Sequence, residues 1–122
     1  MFKLGIVGGR NYTDYESFKT HIDDALEKWN ISINDIEFVV SGGARGADSL
    51  AELWAKEKKI KIKIYKPDWK NLGNKAGPLR NTDIVNASTH LIAFPTQESV
   101  GTWDSIRKAE KREIPLEIVR IK

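Results

Sequence analysis

Ser41-Gly42-Gly43-Ala44-Arg45-Gly46-Ala47-Asp48 sets one arginine and one aspartate among small residues directly after an apolar stretch. Glycine lets backbone approach a ligand closely, and the unpaired N–H groups at a helix N-terminus attract an anion. The turn therefore reads as a phosphate cradle. Arg45 can reach a phosphate, while Asp48, in the first helical turn, either caps N–H groups or meets a ribose hydroxyl. The lysine and following Ser/Thr of a P-loop are missing, and the spacing G-G-x-x-G is not the G-x-G-x-x-G of the dinucleotide fingerprint. The competing reading gives these glycines only a tight strand–helix packing role.

Two further turns share this chemistry. Gly8-Gly9-Arg10 ends a first apolar strand, and Gly101-Thr102 opens a helix after another. Three such turns at one sheet edge would surround the crevice where strand order reverses, the usual ligand position in a doubly wound sheet. Phosphates are expected against Gly42 to Gly46 and the N-terminus of the Gly101 helix. In Ala76-Gly77-Pro78-Leu79-Arg80-Asn81, Arg80 shares a helical face with Ile84, four residues on, so its guanidinium turns toward the packed side and needs a partner. An internal carboxylate and a bidentate ligand phosphate both satisfy it. Asp68-Trp69 and Lys75 lie in a long loop, where the tryptophan either stacks on a base or anchors the loop. His21 and His90 stand alone, without cysteine or carboxylate at ligand spacing, so both read as structural and no metal site is expected. No cofactor is implied, and no G-x-S-x-G or triad is present.

The elements that position these residues follow from hydrophobic period. Leu4 to Val7 reads as a strand. Tyr15, Phe18, Ile22, Leu26 and Trp29 recur at helical spacing and predict a helix from Asp14 to Trp29. Ile36 to Val40 is a buried strand, and Ala47, Leu50, Ala51, Trp54 and Ala55 line the next helix. Ile60, Ile62 and Ile64 alternate with lysines as an edge strand should. Lys66 to Ala76 is the longest stretch without a period, and long loops are disproportionately functional. A helix from about Pro78 to Ala87, a strand at His90 to Phe94, a helix from Gly101 to Lys111 and a strand at Leu116 to Ile121 complete the chain. Strand and helix alternate throughout. The expected fold is a single α/β, Rossmann-like domain over residues 1–122, with a five-stranded, mostly parallel sheet in order 3-2-1-4-5 and helices on both faces.

At 122 residues the chain suits one domain with a core of its own. Hydrophobic residues at 40% and charged residues at 30% describe a soluble globular protein. No apolar run approaches a membrane span, and the N-terminus reads as a strand rather than a signal peptide, so no membrane partner and a cytoplasmic setting are expected. The absence of cysteine agrees. A net charge of +3 permits nucleic-acid binding without demanding it, because acids interleave with the lysines in Lys56-Glu57-Lys58-Lys59 and in Lys108 to Arg112.

Taken together, the blocks Gly8-Gly9-Arg10, Gly42 to Asp48, Asp68-Trp69, Ala76 to Asn81, and Ala93-Phe94-Pro95 leading to Gly101-Thr102 resemble the SLOG superfamily. That superfamily unites the Lonely Guy phosphoribohydrolases, the DprA DNA-processing proteins and small YspA/YpsA-related proteins, and the resemblance is closest to the last. It implies a pocket for a nucleotide or nucleotide-derived molecule and, by analogy with self-associating relatives, a homo-oligomer. Gly9, Arg10, Ser41, Gly42, Gly43, Arg45, Gly46, Asp48, Asp68, Trp69, Arg80, Asn81, Pro95, Gly101 and Thr102 are its candidate ligand-binding residues. One departure bears on chemistry. Lonely Guy enzymes carry P-G-G-x-G-T-x-x-E, whereas here Ser105 stands where the glutamate of glycosidic cleavage would be, leaving Asp48, Glu98 or Asp104 as substitutes. The expected function is therefore binding of an ADP-ribose-like or nucleoside-phosphate ligand, as sensor or sequestering protein. A nucleotide phosphoribohydrolase and a DprA-like single-stranded DNA binder are its rivals.

Overall fold

Alternating side-chain direction in β1 (Phe2–Gly8) sends Leu4 and Ile6 to one face of a sheet and Val7 to the other, and both faces are buried. A computed structural model describes residues 1–122. Leu4 and Ile6 pack with Phe18 and Ile22 of α1 (Tyr15–Lys28) and with Ala51 and Trp54 of α2 (Ala47–Glu57). On the opposite face Val7 packs with Ile84 and Val85 of α4 (Ala76–Ala87) and with Ile106 and Ala109 of α5 (Gly101–Lys111). Phe18 and Ile22 are fully buried, and a side chain of this kind contributes roughly 1.5–3 kcal/mol when buried. Docking onto the sheet, more than helix propensity, holds these helices.

The sheet is parallel throughout. Its order is β3 (Lys61–Ile64), β2 (Ile36–Ser41), β1, β4 (His90–Phe94), β5 (Leu116–Ile118). The register between β1 and β2 slips at one point, Phe2 facing Ile36 but Lys3 facing Phe38, so Glu37 is left over. This irregularity lets Ile36 join the α1–α2 core while Phe38 and Val40 face α4 and α5.

Three of the helices end alike. After α1, the N–H groups of Asn30 and Ile31 bond to the carbonyls of Glu27 and Leu26; after α2, those of Lys59 and Ile60 bond to Lys56 and Ala55; after α5, those of Glu113 and Ile114 bond to Glu110 and Ala109. Asn30, Lys59 and Glu113 have φ of 56°, 59° and 59°, the left-handed residue of a Schellman ending, and the isoleucine after each begins the return to the sheet. Lysine and glutamate fill that role at two of the three ends, and α5 still stops at Lys111, where the sequence placed its end.

Several boundaries differ from expectation. Asp14 lies outside α1 as its cap, its carboxylate accepting from the Ser17 N–H at 3.1 Å. The stretch expected as a loop holds the short helix α3 (Trp69–Leu72), capped by Asp68, and a 3-10 turn at Gly73–Lys75. The next helix starts at Ala76, two residues before Pro78, which is tolerated because first-turn N–H groups have no intrahelical partner. β5 stops at Ile118, although the Val119 and Ile121 N–H groups still bond to the carbonyls of Ala93 and Pro95.

Candidate functional site

Because β1 leads to β2 on one side and β4 lies on its other side, the C-terminal ends of β1 and β4 part at a topological switch point. Gly9 organises it. Its N–H donates to the Phe94 carbonyl at 3.0 Å, and its own carbonyl accepts from Tyr12 at 3.3 Å and from Ala47, the first residue of α2, at 3.1 Å. A Cβ on Gly8 would stand 2.5 Å from that of Ala47, and one on Gly9 would strike Thr96. These two glycines serve close packing. The N–H groups of Arg10 and Asn11 just beyond have no partner in the chain.

In the turn from β2 to α2, Gly43 and Gly46 both have φ of 73°. A Cβ on Gly46 would meet the Gly9 carbonyl and the Arg10 backbone, so the first and second turns are interlocked. The Asp48 side chain folds back and accepts the Ala44 N–H at 3.1 Å through Oδ2, while Oδ1 has no protein donor. Asp48 is only 6% exposed. Burial raises its pKa, against the opposing pull of the Ala44 N–H, Arg80 and Arg10. No side chain caps α2.

Arg80 reaches across from α4 as its helical face requires, and within the chain its partners are carbonyl and amide oxygens rather than an internal carboxylate. Nη1 donates to the Gly42 carbonyl at 2.9 Å and more weakly to that of Tyr65 at 3.5 Å, and Nε donates to Asn81 Oδ1 at 3.0 Å. Nη2 remains without a protein acceptor. Burial lowers the Arg80 pKa and Asp48 opposes the shift. Asn81 in turn donates to the Gly101 carbonyl and to Asp104 Oδ2, each at 3.2 Å, tying α4 to α5. Although burial alone would raise Asp104, hydrogen bonds from Lys108 at 2.7 Å and from Asn81 hold it below its usual value. Asp104 is held through Oδ2 by both donors and does not line the cleft.

The third turn, from β4 to α5, is held by the Thr96 N–H on Ser99 Oγ at 2.9 Å and the Ser99 N–H on the Thr96 carbonyl at 3.1 Å. Nothing caps α5, and the N–H groups of Gly101, Thr102 and Trp103 are unpartnered. One turn into the helix, Ser105 is 1% exposed and its Oγ has no hydrogen-bond partner.

Around these three turns opens a cleft of about 620 Å³. Only four of its 18 lining residues are hydrophobic, which suits phosphates and sugars better than an apolar ligand. Of the residues singled out from sequence, Gly9, Arg10, Arg45, Asp48, Arg80, Asn81, Gly101 and Thr102 line it. Ser41, Gly42, Gly43, Gly46 and Pro95 do not, because they shape the turns from beneath: Gly42 lies under Arg80, Gly43 against Ile64, Gly46 on the Arg10 backbone. Asp68 and Trp69 belong to α3, where Asp68 caps the helix and Trp69 is 53% exposed beside Gly77. Neither lines the cleft, because the chain closes that loop as helix before it reaches the switch point. Asn11, Ala44, Ile84, Thr96, Ser99 and Val100 line it without having been singled out. Their signal was positional: Thr96, Ser99 and Val100 lie between β4 and the Gly101 helix, Asn11 and Ala44 in the two glycine turns, and Ile84 one turn along α4 from Arg80. No group of three or more His, Cys, Asp or Glu residues is arranged for a metal, and His90 packs edge-on against Phe2 at 5.1 Å.

Fold and cleft together define a Rossmann-like domain of SLOG type, with its candidate site at the switch point. The chain belongs to the YspA, cpYpsA-related SLOG family, whose model matches residues 3–72. The Gene 61 protein of Mycobacterium phage D29 is 34% identical over 95% of this chain and 94% of its own length. Among solved structures, DNA processing protein A from Streptococcus pneumoniae superposes with a TM-score of 0.76 at 18% identity, covering all of this chain and 51% of that one. The Helicobacter pylori protein, described for its single-stranded DNA binding mode, gives 0.70 at 22% identity, covering 99% and 66%. This chain thus spans between half and two thirds of the DprA chains it matches, and that likeness is one of fold.

Proposed function

We propose that the cleft binds a nucleotide-derived small molecule, ADP-ribose-like or a nucleoside phosphate, and that the protein acts as its sensor or sequestering partner. The observation that carries this reading is the convergence at one switch point of three strand-to-helix turns with unpartnered N–H groups and of Arg10, Arg45 and Arg80. Backbone donors, guanidinium groups and a mostly polar lining are what phosphate and ribose require. Mass spectrometry of small molecules released from protein purified from its native cells tests it directly. A co-purifying nucleotide supports the reading; affinity for neither nucleotides nor nucleotide sugars in a titration panel would end it.

Binding rather than turnover is expected because Ser105 offers a hydroxyl without an accessible charge at neutral pH and Asp104 is held by Lys108 and Asn81, which leaves Asp48 and Glu98 as the carboxylates of the cleft. Loss of one positioned acid–base group costs about 10²–10⁴ in rate. Chromatography for free base after incubation with nucleoside monophosphates checks this, and turnover at about 1 s⁻¹ or more would make the protein an enzyme.

One observation favours single-stranded DNA as a second reading. Between Lys56 and Lys75 stand eight lysines and two acids, a net +6 in a chain of total +3, so the remainder is acidic by three. None of these lysines makes an ion pair, and the exposed Trp69 lies among them. A basic edge with an exposed aromatic is what a strand of nucleotides needs, although edge lysines also guard against sheet-to-sheet pairing. Oligonucleotide binding that weakens steeply with salt and is lost in a Lys61→Glu, Lys63→Glu variant would support it.

A further inference from the structure

Resting on the nucleotide reading of the cleft, we infer that Asp48 makes this site selective for ribose over 2-deoxyribose and sets the ligand's direction, sugar hydroxyls at α2 and phosphate at the N-terminus of α5. The cleft is electrostatically two-sided. At the α2 end stands a buried carboxylate whose Oδ2 holds the Ala44 N–H while Oδ1 has no donor. That oxygen is open to the cleft and free to accept from a ligand. A vicinal diol supplies two O–H donors to one carboxylate. A phosphate supplies none and is repelled. The field of Arg80 at this end is already partly spent on Asp48, and its Nη1 is fixed on the Gly42 carbonyl.

The α5 end offers the converse. Three successive N–H groups, of Gly101, Thr102 and Trp103, lack acceptors; Asp104 in the same turn is paired with Lys108, and Glu98 is the one carboxylate of the preceding turn that lines the cleft. Ser105 provides a second, independent mark, a hydroxyl that is 1% exposed, borders the cleft and has no partner in the chain. Phosphate oxygens would accept from that hydroxyl and from the helix N-terminus together. Phosphate is therefore placed away from the Gly42 to Gly46 turn, where the glycines alone had suggested it.

The test uses ribose 5-phosphate, 2-deoxyribose 5-phosphate and inorganic phosphate, titrated into the whole protein up to millimolar concentration and followed by NMR shifts. The expected result is binding of ribose 5-phosphate roughly tenfold to a hundredfold tighter than its 2-deoxy analogue, with the difference lost in Asp48→Asn and Asp48→Ala. Inorganic phosphate should perturb Gly101 and Thr102 in all three proteins. Equal affinity for the two sugars, or discrimination that survives both substitutions, overturns the inference and leaves the nucleotide reading standing. No response to any of the three probes also overturns the inference, and the nucleotide reading is then decided by the nucleotide panel alone.

Discussion

Asp48 carries opposed demands. Burial raises its pKa, so the folded chain favours its protonated form, and the stability this contributes is present below the ordinary value of 3.8 and lost as pH rises through the raised one. Asp48→Asn should therefore melt higher than the parent at neutral pH, with the gap closing as pH falls through the carboxylate range, in parallel thermal scans. Val100, 79% exposed just before α5, allows a complementary check. Val100→Asp touches nothing buried, so denaturant midpoints should stay within about 0.5 kcal/mol of the parent. Its carboxylate beside the free N–H groups should weaken a phosphate-bearing ligand at least tenfold by calorimetry.

At the scale of elements, the site depends on how closely the first two turns interlock. An alanine at position 46 would combine a positive φ with backbone atoms of Gly9 and Arg10 that cannot move aside. Gly46→Ala should cost roughly 2–4 kcal/mol in denaturant unfolding. Gly43→Val would be a poor probe of binding, since φ of 73° and a Cβ 2.7 Å from the Ile64 methyl strain the fold itself. The helix endings point the other way. Glu113 occupies a left-handed Schellman position with φ of 59°, a conformation that costs a non-glycine residue about 1–2 kcal/mol, so Glu113→Gly should raise stability by about 1 kcal/mol in the same measurement.

Over the whole molecule, the cleft draws on the end of β1, the turns after β2 and β4, and the helices α2, α4 and α5, so a ligand seated there bridges elements packed on opposite faces of the sheet. Saturation at a hundred times Kd should stabilise the domain by about 2.7 kcal/mol. That gain should appear as a rise in Tm of several degrees with a titrated ADP-ribose or nucleoside phosphate, and Arg10→Ala should reduce it. No helix is long and apolar enough to cross a membrane. The uneven charge is likewise a property of the whole, gathered in residues 56–75, from the end of α2 through β3 and α3, and none of its lysines lines the cleft.

The strands and helices were legible in the sequence because they rest on short-range signals: the period of two in Ile60, Ile62 and Ile64, the helical period from Tyr15 to Leu26, and glycine turns at the strand ends. The sheet order followed from the doubly wound pattern of alternating strand and helix and from the SLOG resemblance. With that topology, Gly9, Arg10, Arg45, Asp48, Arg80, Asn81, Gly101 and Thr102 could be brought to one crevice. Three-dimensional packing decided which polar groups remain free there. The carbonyl of Gly42 occupies Arg80, Lys108 and Asn81 occupy Asp104, and nothing occupies Asp48 Oδ1 or Ser105 Oγ. Those partners lie 4 to 38 residues apart in the chain, and the Arg80 and Asn81 contacts across the cleft are the distant ones. A side chain's local pattern tells where it points. Whether it arrives already satisfied depends on what the rest of the fold sets opposite it.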